Sequence, residues 1–138
     1  MRLGYIVAGL VGIVVVAGIA FLVLAPKSPC NQGVCKVTVT VQACQANGAT
    51  ASPDPVKVPS ANNIEWTIET DGYLFTVNGI SVQGTGFTNA PGMTGNGKKF
   101  IIHDAYTDIR PDIKYSIEVH PAANATPCPK TDPLISNQ

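Results

Sequence analysis

The chain has 138 residues, enough for one domain of ordinary size and an appendage. Nine Lys and Arg balance nine Asp and Glu. With no basic face and no acidic run, nucleic acid is excluded as an expected partner and a solvated charged tail is not indicated. The mean hydropathy is nonetheless positive, at +0.18, and the cause is local.

From Leu3 to Ala25 no residue is charged, and Val, Ile, Leu, Ala and Gly dominate. As a helix this stretch rises about 34 Å, enough to cross a hydrocarbon core of about 30 Å. It is longer than the apolar core of a cleaved signal peptide, and the best cleavage candidate, Val23-Leu24-Ala25, is followed by Pro26. The expectation is an uncleaved signal-anchor over 1–25, with the lipid bilayer as its surroundings. Gly4, Ala8 and Gly12 recur every four residues and place small side chains on one helix face. That pattern lets helices approach closely, so self-association or packing on a membrane-protein partner is expected there.

Arg2 and Lys27 flank the segment on opposite sides, so flanking charge hardly sets the orientation. Cysteine usage does. Cys30, Cys35, Cys44 and Cys128 all follow the apolar stretch, and an even set in a short chain reads as a disulfide framework outside the cytoplasm. Four cysteines allow three pairings. Cys30 and Cys35 flank a turn-like Asn31-Gln32-Gly33-Val34 and could close a small ring, which leaves Cys44 with Cys128. A zinc site is disfavoured, because paired knuckle spacings are absent and neither histidine falls at ligand distance in sequence. The expected location is the cytoplasmic (inner) membrane, single-pass, with the C-terminal part on the periplasmic or extracellular side.

Residues 26–34 read as a short linker and 35–138 as one β-domain. Val37, Val39 and Val41 alternate with Thr38, Thr40 and Gln42, the pattern of a half-buried strand. Val56 and Val58, bounded by Pro55 and Pro59, fit a short edge strand. Ile64, Trp66 and Ile68 give the cleanest alternation. Asp71-Gly72 supplies a turn, after which Tyr73, Phe75 and Val77 share a face. Asn78-Gly79 bends the chain before Ile80 and Val82. The stretch 83–98, dense in Gly, Asn, Thr and Pro, reads as a long loop. Phe100 and Ile102 begin another strand, and Ile113, Tyr115, Ile117 and Val119 form the last. Short strands at this spacing predict an all-β antiparallel sandwich without helices beyond Ala25.

Two stretches carry a family likeness. Residues 52–66, Ser-Pro-Asp-Pro-Val-Lys-Val-Pro-Ser-Ala-Asn-Asn-Ile-Glu-Trp, resemble the second and third strands of cupredoxins. Gly97-Lys98-Lys99-Phe100, with Asp112 to Ile117, resembles their last two. The resemblance, covering about 36–121, implies a Greek-key sandwich. It also implies where copper ligands should stand, and there the match fails. A type 1 site needs two imidazoles, a thiolate and a weak axial thioether. Ile117 occupies the thiolate position, His120 the second imidazole position, and Tyr73 and Leu74 the neighbourhood of the first. Met93 lies upstream rather than after His120. The implied protein is a copper-free member of that fold.

The leftover ligands offer little else. By parity His103 and His120 face solvent, and antiparallel pairing of their strands sets them on the order of 23 Å apart. Asp104, Asp108 and Asp112, with Arg110, read as a solvated loop lacking the ligand order of a calcium-binding loop. No nucleophile elbow, phosphate loop or free Cys–His arrangement is present, so neither an enzyme nor a cofactor is expected. Asn124-Ala125-Thr126 is a glycosylation sequon of consequence only in a host that glycosylates. The function expected is a membrane-tethered, non-catalytic interaction or accessory module of an envelope complex. The alternatives are a copper-binding or electron-transfer cupredoxin and a structural subunit of a filament or envelope assembly.

Overall fold

A computed structural model describes residues 28–138. The apolar stretch 1–25, with Gly4, Ala8 and Gly12, lies outside the described residues. Among those described, no helix is long and apolar enough to cross a membrane.

Ten strands form two facing sheets: β1 (Cys30–Asn31), β2 (Val34–Val41), β3 (Ala49–Ser52), β4 (Val56–Val58), β5 (Asn62–Ile68), β6 (Tyr73–Val82), β7 (Phe87–Thr94), β8 (Lys99–Asp104), β9 (Ile113–Pro121) and β10 (Leu134–Asn137). One sheet runs β1-β2-β5-β8-β7, with β3 also paired to β2, and the other runs β4-β10-β9-β6. A single 3₁₀ turn, Gly95–Gly97, precedes β8. The sheet thus begins inside the stretch read as linker, because Cys30 pairs with Cys35 across a two-residue reversal.

Alternation decides which side chains meet. Val37, Val39 and Val41 of β2, Ile64, Trp66 and Ile68 of β5, and Phe100 and Ile102 of β8 are all buried. They face Phe75 and Ile80 of β6 and Ile113, Tyr115, Ile117 and Val119 of β9 across the core. Each such side chain contributes about 1.5–3 kcal/mol by leaving water. Trp66 and Tyr115 pack with ring centroids 5.3 Å apart, and Phe75 meets Phe100 edge-on at 5.8 Å.

The sheets are mixed, which corrects the antiparallel expectation. β2 and β5 pair in parallel from Val34↔Asn63 to Val39↔Ile68, and β4 and β10 pair in parallel from Val56↔Ile135. Parallel neighbours cannot be joined by a tight hairpin. Here the chain leaves β2 through β3, crosses to the other sheet as β4, and returns as β5 on the far side of β2. The stretch 83–98 is not simply a loop either. It holds β7, an edge strand whose ladder slips between Asn89 and Gly92, so its Pro91 costs no central hydrogen bond. Both disulfides are formed as Cys30–Cys35 and Cys44–Cys128, and no described cysteine is free.

Candidate functional site: the bulged edge of the sandwich

β6 and β7 are edge strands of the two sheets and lie on the same side of the sandwich. β6 pairs with β9 at Phe75↔Val119 and again at Ile80↔Ile117, so Thr76 to Gly79 face Glu118 alone. Three extra residues on one strand throw the backbone outward, as bulges do. The sequence supports this locally. A Cβ at Gly79 would fall 2.7 Å from Phe75 Cβ, so only glycine lets the bulge fold back over the buried ring. At the base, the Thr76 hydroxyl donates to Glu118 Oε1 at 2.7 Å, and Lys130 Nζ pairs with Glu118 Oε2 at 3.2 Å.

The bulge displays Val77, which is 72 % exposed, whereas Phe75 is buried, so the expectation that Tyr73, Phe75 and Val77 share one face fails at the bulge. Alternation ends where the ladder breaks. Two hollows flank Val77. One, of about 400 Å³, lies towards Ile80, Phe87, Asn89 and Lys130. The other, of about 430 Å³, is lined by Leu74, Phe75, Met93, His120 and Pro127 among others. Met93, 41 % exposed, contributes a flexible thioether to the second hollow.

Met93 and His120, far apart in sequence, therefore line one hollow, whereas His103 stands elsewhere on the other sheet. The expected pairing of the two histidine strands does not occur, since β8 pairs with β5 and β7 and β9 with β6 and β10. Neither ring is wholly free. His103 Nδ1 donates to Asn63 Oδ1 at 2.9 Å, and His120 Nδ1 donates to the carbonyls of Pro121 and Asn124 at 2.8 and 3.2 Å. Both are half-buried rather than fully solvent-facing. Ile117, at the thiolate position of the cupredoxin resemblance, is buried in the core. Among the described residues no three His, Cys, Asp or Glu gather as a metal group.

The carboxylates separate into different environments. Glu118 is held below the usual carboxylate range, chiefly by the Thr76 hydroxyl, and also by Lys130. A depressed folded pKa means a stabilising contribution present above the unfolded pKa and lost as pH falls through the folded value. Thr76→Val is expected to return the Glu118 titration towards the ordinary range, read by carboxyl-carbon NMR; an unmoved midpoint would remove the hydroxyl as its cause. Asp108 is also held low, by Arg110 through contacts of 2.6 and 2.7 Å. Asp104, expected in a solvated loop, is completely buried at the end of β8. Alternation accounts for it: Asp104 shares the inward face of Phe100 and Ile102.

Trp66 Nε1 and Tyr115 Oη are buried without hydrogen-bond partners, and burial raises the Tyr115 pKa. Both belong to the packed centre and neither opens on a hollow, so they are packing groups. Asn124 is exposed, with its Oδ1 accepting from the Thr126 N–H at 2.7 Å, so the sequon forms an accessible turn.

The bulged edge thus joins a mostly polar hollow beside Lys130 and a mostly apolar one beside Met93, with an exposed valine between them and strand edges on either side. It holds no nucleophile–base pair. No known protein family model matches the chain, and no curated protein is similar to it.

Proposed function

We propose that the protein is a membrane-tethered, extracytoplasmic interaction module with a cupredoxin-like Greek-key domain, and that it acts by binding a protein segment at the β6–β7 edge. The observation carrying this is the surrender of regular pairing over Thr76 to Gly79 to display Val77 between two hollows. Bulges at sheet edges re-aim side chains and are features of sites. An extended partner strand supplies backbone groups to the edge and alternate side chains to the hollows, the mode of β-strand addition. The apolar stretch 3–25 and the cysteine pairs support the tether and the compartment. The resemblance over 52–66 and 97–117 supports the cupredoxin-like reading, and the two-sheet sandwich is compatible with it.

The test is a photo-crosslinking amino acid placed at Val77 of the full-length chain in native membranes. Ile109, 57 % exposed in the loop before Pro111 and bordering neither hollow, is the control. A discrete adduct from Val77 and none from Ile109 is expected. In affinity purification of the chain without the crosslinker, Val77→Asp should lower recovery of the partner so identified about tenfold or more, as loss of a central anchor does. Equal labelling from both positions would defeat this reading.

A further inference from the structure

The opposite end of the domain carries a different surface. Ser28, the first described residue, borders a shallow hollow of about 550 Å³ together with Pro29, Lys36, Pro53, Pro55 and Lys57. Ser28 and Lys57 also border a smaller one of about 220 Å³ with Val58 and Pro59. The floor is proline-rich and apolar. No Asp or Glu side chain lines either hollow. Asp54, between the two prolines, borders a separate hollow, and its Oδ1 accepts the Leu134 N–H at 3.0 Å.

Charge is distributed against the average. Arg2 and Lys27 precede the described residues, so the remaining seven Lys and Arg face nine Asp and Glu, and the domain is mildly acidic. Yet Lys36 and Lys57 are exposed, and among the described residues neither joins an ion pair; Glu65, the register partner of Lys36, pairs with Lys99 instead. Two residues, Pro26 and Lys27, separate Ser28 from the uncharged stretch 3–25. Even fully extended, they bring Ser28 no further than about 10 Å from its end.

We propose that this face, centred on Ser28, Lys36, Lys57 and the prolines between them, is a docking surface for the anionic headgroups of the bilayer that holds the N-terminal segment. The proposal rests on the tether reading above. Short connection keeps the face at headgroup depth, the prolines give a rigid apolar surface, and the two free ammonium groups of Lys36 and Lys57 match negative phosphates. Docking this end turns the β6–β7 edge away from the lipid, because Lys36 and Lys57 lie on β2 and β4 and the bulge on β6, at the other side of both sheets. The domain would then present Val77 to a partner in a fixed orientation.

The full-length chain, reconstituted into vesicles of phosphatidylcholine alone or mixed with phosphatidylglycerol, tests this with a paramagnetic headgroup lipid read by amide NMR. Broadening is expected at Ser28, Lys36, Lys57 and Val58 and not at Val77. It should grow with phosphatidylglycerol, and Lys36→Glu with Lys57→Glu should lower the docked-to-undocked ratio about tenfold. Alkaline carbonate extraction is run alongside. A chain released by carbonate overturns the tether and the docking with it. A chain retained in the membrane, but broadened evenly or indifferent to lipid charge and to the lysine substitutions, overturns the docking alone.

Discussion

Replacing Cys44 and Cys128 together by alanine is expected to destabilise the domain by about 4–5 kcal/mol, whereas replacing Cys30 and Cys35 should cost about 2 kcal/mol. The difference lies in the loops closed. The first bond spans 84 positions and the second five, and chain entropy recovered on opening grows with the logarithm of loop length. The long bond also ties the end of β2 in one sheet to the tail that returns along the other. Between Cys128 and β10 the tail is held by isolated contacts, among them Cys128 N–H to Val119 O at 2.8 Å and Ile117 N–H to Thr131 O at 2.9 Å. Thermal unfolding followed by the fluorescence of Trp66, the sole tryptophan, reads the core directly. For a domain of this size the long-loop variant should melt about 15–25 °C lower. Equal losses from the two pairs would show that loop length does not govern their contribution.

The core was legible in the sequence because strand alternation is a local signal. Every position from Val37 to Val41, Ile64 to Ile68 and Ile113 to Val119 assigned inward by parity is buried. Pairing is not local. Nothing within β2 or β5 states that they lie side by side in parallel, since that depends on the intervening chain visiting the other sheet. β7 was hidden for a related reason: Pro91, Gly92 and two Asn or Thr neighbours are turn-forming residues, and they become strand only because β8 offers a partner with a slipped register. Val77 has the identity and parity of a core residue. Only the loss of register opposite Glu118 turns it outward, and the one trace of this in the sequence is Asn78-Gly79 immediately after it. Met93 and His120 stand in the sequence as isolated ligand types, and their meeting at one hollow follows from β6 and β7 sharing an edge, which no spacing rule contains.

Asp104 shows the same limit and yields the second large effect. Its Oδ1 accepts the N–H of Tyr106 at 2.8 Å and so holds that residue in the left-handed region, at φ 57°. Its Oδ2 is buried without a partner, as is Oδ1 of Asn137, whose Nδ2 is engaged with the Asp108 carbonyl at 3.0 Å. Burial raises the Asp104 pKa; the Tyr106 N–H and His103 oppose that rise, and Asp108 adds to it. A carboxyl whose folded pKa lies above its unfolded value, ordinarily 3.8, contributes its full stability below that value and loses it as pH rises through the folded pKa. Asp104→Asn keeps an acceptor for Tyr106, removes the buried charge and brings a donor to the side facing Asn137. It is therefore expected to stabilise the domain at neutral pH by about 1–3 kcal/mol, the cost of a buried polar group left unpaired. The gap between variant and wild type should close as pH falls below the unfolded pKa. Asp104→Leu provides the contrast, because it abandons the Tyr106 N–H and should destabilise at every pH. Denaturant unfolding across pH separates the two, and a constant offset between Asp104→Asn and wild type would mean that the carboxyl does not change protonation on folding.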